Sequence, residues 1–267
     1  MKTIKIRNIE IGAGIPKICA PIVGRTADEI LKSAATITTL PVDLVEWRID
    51  WYEDVFDVRL LLDTLHNLRH ALGDLPLLVT FRTKAEGGEK PISLTDYVNL
   101  YKAIIASRDA DLIDLEMFSF TGVAGSVSPK ASDGSAAIVE IIKAAHKADI
   151  IVVGSNHDFE KTPEKDILVA RLRSMQKAGA DIPKIAVMPQ SKSDVLTLLA
   201  ATEEMYTNYA AGPIITMSMG REGVTSRLMG ESFGSAVTFG SVGKSSAPGQ
   251  IEATKLKVLL ESLHQVL

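Results

Sequence analysis

Lys184 stands in the run IPKIAVMPQ, between Pro183 and a stretch of apolar residues. If that run is a strand inside a closed sheet, the side chain is buried, and burial disfavours the ammonium form. A neutral amine attacks a ketone and condenses with it to an imine. His157 ends a second apolar run, in SNHD, and an imidazole exchanges protons near neutral pH. Two acids are placed to orient that ring: Glu86, in RTKAEGGE, and the adjoining Asp158. More charges interrupt other apolar runs. Glu46 and Arg48 lie in VDLVEWRID, Arg82 ends PLLVTFR, and Asp114 and Glu116 lie in ADLIDLEMF. An imine-forming lysine, a histidine and buried charges of both signs equip a site for imine formation and proton transfer on a polar substrate.

These residues need a scaffold that turns them toward one point. Eight short apolar runs are fit to be buried strands: 16–24, 42–50, 76–82, 110–118, 149–158, 182–190, 213–220 and 235–242. Between them lie stretches with apolar residues at helical spacing, among them DVRLLLDTLHNLRHAL, DILVARLRSMQKAGA and DVLTLLAATEEMYTNYA. Thr26 with Asp28 and Glu29, and Thr162 before Pro163 and Glu164, read as helix starts; GQIEATKLKVLLESLHQVL reads as a closing helix. Eight strand–helix repeats in a 267-residue chain predict a (β/α)8 TIM barrel of the α/β class. The alternating N-terminal segment predicts a β-hairpin that closes the barrel bottom. An open doubly wound sheet would place a glycine-rich phosphate loop after its first strand, and none follows Gly24. The chain reads as one catalytic domain, residues 1–267, ending at its own last helix.

Strand side chains alternate between faces. Val45, Trp47 and Ile49 share one face, which belongs against the helices, so Glu46 and Arg48 point into the barrel. The same parity turns Arg82 inward beside an outward Phe81, and Asp114 and Glu116 inward beside Ile113, Leu115 and Met117. Ser155 and His157 share a face, as do Lys184, Ala186 and Met188. Two segments rich in small residues stand out. SVGKSSAPGQ follows the eighth strand, at the end where barrels build their sites, and reads as a loop that closes on substrate. The stretch from Ser119 to Ala137 reads as a solvated loop.

Composition excludes several classes. Apolar residues make up 46% and charged residues 23%, with a net charge of −4, which gives no basic surface for nucleic acid. No run approaches the roughly 20 apolar residues of a membrane span, and the N-terminus has no signal-peptide core. The expected setting is the cytoplasm. Cys19, the single cysteine, cannot form an internal disulfide and reads as a small buried residue. No zinc spacing, P-loop or GxGxxG is present.

The motifs LVEWRID, LLVTFRTKAEGGE, DLIDLEMF, SNHDFEKTP, DIPKIAVMPQSKSDVLTLL, PIITMSMG and SAPGQI run through nearly the whole chain. In these the sequence resembles the type I 3-dehydroquinate dehydratases, the Schiff-base lyases of the shikimate pathway. The resemblance implies that Lys184 forms the imine, His157 is the general acid and base, and Glu86 pairs with that histidine. It assigns substrate binding to Glu46, Arg48, Arg82, Arg227, Ser246 and Gln250. It implies a small-molecule substrate, 3-dehydroquinate, a homodimer, and chemistry with no metal and no organic cofactor. The chain departs from the family pattern at Pro21, where a serine is common, at Arg221 and Glu222, where Ser-Lys is common, and in a longer fourth loop. Two other functions fit a barrel with such residues. A Schiff-base aldolase on a sugar phosphate would use SVGKSSAPGQ, with Lys244, as its phosphate nest. A binding module that had lost catalysis should lack Lys184, His157 or Glu86, and all three are present.

Overall fold

The structure is a computed structural model and describes residues 3–120, 133–243 and 246–267. A hairpin of β1 (Ile4–Ile6) and β2 (Ile9–Ile11) precedes the barrel strands. These are β3 (Lys17–Ile22), β4 (Leu44–Arg48), β5 (Leu77–Thr80), β6 (Leu112–Glu116), β7 (Ile151–Asp158), β8 (Ile182–Val187), β9 (Ile215–Ser218) and β10 (Val237–Ser241). Each lies within one of the eight apolar runs. A two-residue strand, β11 (Ile251–Glu252), adds in parallel to the end of β10. The sheet order is β11-β10-β3-β4-β5-β6-β7-β8-β9, with every neighbouring pair parallel. The ends meet at a narrow seam. Ile214 and Ser235 form a parallel bridge, the Ala236 N–H donates to the Ile214 carbonyl at 2.8 Å, and the Thr216 N–H donates to Ser235 Oγ at 3.0 Å. A side-chain hydroxyl thus takes the place of a ladder carbonyl where the barrel closes.

The helices are α1 (Ala27–Ile37), α2 (Val58–Leu72), α3 (Leu94–Ser107), α4 (Asp133–Lys147), α5 (Lys165–Lys177), α6 (Lys192–Asn208), the short α7 (Val224–Leu228) and α8 (Gly230–Phe233), and α9 (Ala253–His264). Thr26, Asp57, Ser93 and Ser191 cap α1, α2, α3 and α6 by accepting backbone N–H groups, and Ser191 with Asp194 forms a reciprocal capping box. Thr162 does not cap α5. That helix starts after Glu164, and the Thr162 hydroxyl donates to the Met188 carbonyl at 3.2 Å, tying the loop after β7 to the end of β8. The loop expected from Ser119 to Ala137 is also shorter than its composition implied. Helix α4 begins at Asp133, and Gly134 sits so close to Phe120 that a β-carbon there would lie 2.1 Å from the Phe120 carbonyl oxygen. The glycine permits this packing, although glycine in sequence reads as a helix breaker. Residues 121–132 of that loop and Lys244 lie outside the described residues.

Two apolar layers result from the strand alternation. Val45, Trp47, Ile49, Phe81, Ile113, Leu115 and Met117 pack outward with the helix faces. The inner residues at the strand beginnings are Cys19, Leu44, Leu78, Leu112, Val153, Ile182, Ile215 and Val237, and Ile6 and Ile11 of the hairpin join the same cluster. The hairpin therefore plugs the N-terminal end of the barrel, as the alternating N-terminus predicts. Cys19 is fully buried there, and burial pushes its thiol well above its ordinary range, which leaves it unreactive. With the bottom filled by aliphatic side chains, the charged inward positions fall at the opposite end, where the strands finish.

Candidate active site

Inward side chains near the strand ends form a polar girdle. Ladder register places Glu116 beside Ser155, Ser155 beside Lys184, and His157 beside Ala186. The Lys184 amine is 3.0 Å from Asp114 Oδ2 and 3.7 Å from Glu46 Oε1, and it lies 4.7 Å from the centre of the Phe239 ring. The lysine is buried, as the strand reading expected, and the structure supplies the partners that the reading did not name. The lysine is only 3% exposed, but it is held by acids from β4 and β6 with one aromatic face beside it. Burying an unpaired charge costs several kcal/mol, and these acids offset that.

The acids are fixed in turn. Thr80 Oγ1 donates to Glu46 Oε1 at 2.9 Å. Arg82 donates to Asp114 at 2.8 Å and to Glu116 and Ser155 Oγ at 3.0 Å each. The Thr83 backbone and hydroxyl complete Glu116, at 2.8 and 2.7 Å. Burial would raise the Asp114 carboxyl, but Arg82 and Lys184 hold it well below the usual carboxylate range. Arg48 makes a bidentate pair with Asp50, at 2.8 Å on both arms. Asp50 is fully buried and also accepts the backbone N–H groups of Arg82 and Glu89, at 3.2 and 3.1 Å.

His157 stands at the end of β7, with Glu86 behind it. Glu86 belongs to a one-turn helix, Lys84–Glu86, after β5. Its Oε2 lies 2.9 Å from His157 Nδ1 and accepts the His157 backbone N–H at 2.9 Å. This settles which acid faces the ring. Asp158 instead accepts the backbone N–H groups of Glu160 and Lys161, at 3.0 and 2.9 Å. Burial, reinforced by Glu116 and opposed by Arg82, pushes Glu86 up to about 8. Burial together with Arg82 and Lys184 pushes the His157 imidazole well below its ordinary range. At this separation the two titrate as a pair. Below about 8 the pair carries one proton between them, and above it the ring is neutral beside a carboxylate. In that second form Glu86 accepts from Nδ1–H, and Nε2 is left as the free base.

Glu46, Arg48, Arg82, Glu86, His157, Lys184, Ser246 and Gln250 line one cavity, and Met217, Met219, Phe159 and Phe239 supply its apolar walls. The segment after β10 covers one side. The Gln250 side chain accepts the Ser246 N–H at 3.1 Å and donates to Ser246 Oγ at 3.0 Å. The Gly220 N–H donates to the Pro248 carbonyl at 3.2 Å, and Gly249, at φ +77°, approaches Gly220 so closely that a β-carbon would sit 2.2 Å from its carbonyl oxygen. Arg227 is the expected residue that does not line the cavity. It lies behind the wall on α7, with NH1 3.6 Å from Met217 Sδ and NH2 donating to the Pro248 carbonyl at 3.1 Å. It is 1% exposed, its Nε has no hydrogen-bond partner, and it forms no ion pair with a described acid. Burial lowers it to about 10, so it stays cationic at neutral pH.

Comparison with known proteins gives the family. Residues 18–266 match the profile of the type I 3-dehydroquinases. The chain belongs to that family. It is 47% identical over 264 residues to the 3-dehydroquinate dehydratase of Bacillus licheniformis, covering 99% of this chain and 98% of that protein. The Enterococcus faecalis 3-dehydroquinate dehydratase is 48% identical over 265 residues, covering 99% of each. Among solved structures, the type I 3-dehydroquinate dehydratase of Clostridium difficile with covalently modified comenic acid superposes with a TM-score of 0.92 at 46% identity, covering 100% of this chain and 99% of that one. As a type I 3-dehydroquinase the chain also displays polar groups that reading the sequence by parity left out. Asp50 has the same parity as Glu46 and Arg48, so its inward direction was available in VEWRID. Ser119 and Asn156, which contact Glu86, carried no such signal.

Proposed function

We propose that Lys184, His157 and Glu86 are the catalytic set with which this type I 3-dehydroquinase converts 3-dehydroquinate to 3-dehydroshikimate. The observation that carries the assignment is the shared cavity. The paired lysine of β8 and the histidine at the end of the adjacent β7 open into one pocket, with Glu86 against the far side of the imidazole. Lys184 attacks the substrate ketone, and loss of water gives a protonated imine. Asp114 stabilises the cation, and Glu46, 3.7 Å from the amine, is placed to take its proton as the imine forms. The iminium acidifies the neighbouring C2–H, and His157 removes that proton to leave an enamine. The enamine collapses and expels the C1 hydroxyl, which takes the same proton from His157. Hydrolysis frees the product and returns Lys184. One histidine on one face serves both transfers, which makes the elimination syn.

Binding follows from the remaining charges. Arg227 has no acidic partner among the described residues, and a carboxylate is the ligand that a buried guanidinium lacks. Arg227 is therefore assigned to the ring carboxylate, approached between Met217 and the Pro248 carbonyl. Glu46, Arg48, Arg82, Ser246 and Gln250 are assigned to hydroxyls and oxygens around the reacting carbons. Arg227→Met is expected to raise KM by about a hundredfold or more, with a smaller loss in kcat, because a charge-assisted pair is removed from a dry site. Steady-state kinetics separate the two. A changed kcat at constant KM would move Arg227 out of the binding role.

The direct test is turnover of 3-dehydroquinate by the purified protein, followed as new enone absorbance and repeated with EDTA. Activity that persists in EDTA is expected. Absence of turnover with 3-dehydroquinate, combined with cleavage of a sugar phosphate, would replace this reading by the aldolase. The same proposal includes one catalytic domain over residues 1–267, and a homodimer working in the cytoplasm, as the family resemblance implies. No helix among the described residues is long and apolar enough to cross a membrane.

A further inference from the structure

His157 occupies only one oxygen of Glu86. The other oxygen, Oε1, accepts the Ser119 hydroxyl at 2.7 Å and the Asn156 amide at 3.4 Å. The Asn156 carbonyl oxygen in turn accepts from Arg171 NH1 of α5 at 2.9 Å. Asn156 lies between Ser155 and His157 on β7, so its side chain leaves the barrel on the helix side and meets Arg171 there. The result is a relay from a guanidinium outside the barrel, through one amide, to the acid behind the catalytic ring. Arg171 is 6% exposed and Asn156 9%, so solvent does little to screen the relay. None of these three residues belongs to the cavity lining.

We propose that Ser119 and the Asn156–Arg171 relay are positioning residues that hold Glu86 with its other oxygen turned onto Nδ1 of His157. The inference rests on the assignment of His157 and Glu86 made above. A carboxylate with donors on both oxygens cannot rotate away from the ring without breaking them. Those donors also favour the charged form, against the burial that opposes it. The charges facing Glu86 are Arg82 at the end of β5, at 3.6 Å, Glu116 on β6, His157 on β7 and, through Asn156, Arg171 on α5. Only Ser119, Asn156 and Arg171 can be altered without touching the girdle around Lys184.

The sign follows from the dyad. Removing a donor from Oε1 favours the protonated pair, so the base-competent form appears at higher pH. The experiment compares kcat, KM and the pH dependence of kcat/KM for the native protein, Ser119→Ala, Ser119→Thr, Arg171→Gln and Glu86→Gln. Ser119→Ala should lower kcat by about tenfold with KM changed less than about twofold, and should move the acid limb upward by about one pH unit. Ser119→Thr keeps the hydroxyl and should restore both. Arg171→Gln should move the limb in the same direction by less. A Ser119→Ala enzyme whose acid limb coincides with that of the native protein would overturn the proposal. So would a Ser119→Thr enzyme that behaves like the alanine variant. Glu86→Gln separates the two levels. If it is crippled while Ser119→Ala keeps the native limb, the relay alone is wrong. If Glu86→Gln turns over normally, the underlying role of Glu86 fails and the relay with it.

Discussion

Lys184→Ala should lower turnover by roughly a millionfold, the scale reached when a covalent nucleophile is removed. The native protein, incubated with 3-dehydroshikimate and borohydride, should gain one reduced adduct, and peptide mass spectrometry should place it on Lys184. The variant should gain none. The expectation follows from what else the cavity holds. Among the groups assigned around Lys184 there is no second amine. The other cations, Arg48 and Arg82, are guanidiniums fixed in carboxylate pairs. Burial would lower both, but Asp50 raises Arg48, and Asp114 and Glu116 raise Arg82 well above its ordinary range, so neither offers a neutral nitrogen. Removing Lys184 also leaves Asp114 and Glu46 short of one partner. Asp114 keeps Arg82 at 2.8 Å and Ser155, and Glu46 keeps Thr80 at 2.9 Å, so the barrel should still fold. A folded variant with native turnover, or an adduct on another lysine of the native protein, defeats the imine assignment.

Much of this site was legible from one rule, strand parity. Glu46, Arg48, Arg82, Asp114, Glu116, Ser155 and Lys184 are buried as that rule placed them, because outward residues such as Trp47 and Phe81 have nowhere to pack except against helices. Parity gives the face and not the partner. Lys184 faces Asp114, and Arg82 bridges Asp114 and Glu116, because of the stagger between neighbouring strands, which no single run of residues encodes. That is why the inward acids and the inward lysine could be read from the sequence while their pairing could not. Arg227 shows the same limit from another direction. Its helix is five residues long, with no period to reveal a face, and the guanidinium sits behind Met217 instead of in the open cavity. The start of α5 after Glu164 and that of α4 at Asp133 differ from the sequence reading because Thr-Pro-Glu and Asp-Gly-Ser each fit two local structures. Tertiary contacts to the Met188 carbonyl and to Phe120 decide between them.

His157→Ala should lower kcat by about a hundredfold to ten-thousandfold while leaving the borohydride-trapped adduct on Lys184 intact. The two observations together carry the argument. The imine forms from the amine and the ketone, with Asp114 at 3.0 Å to stabilise the cation and Glu46 at 3.7 Å to take a proton, so it does not require the imidazole. The C2 proton has no comparable second acceptor. Glu86 lies beyond the ring and is already bound at both oxygens, by Ser119 and Asn156 on one and His157 on the other. Deleting the ring leaves Glu86 held from behind by Ser119 and Asn156, and water admitted into the space of the ring carries only part of the proton traffic. The native pH dependence completes the prediction. Because the pair becomes base-competent as Glu86 loses its proton, kcat/KM should rise on the alkaline side with a midpoint near the value for Glu86, about 8, and His157→Ala should erase that limb. An alanine variant that keeps the limb would assign the titration to another group. One that loses the adduct as well as turnover would mean that His157 takes part in forming the imine, and the division of labour between Glu46 and His157 would have to be reversed.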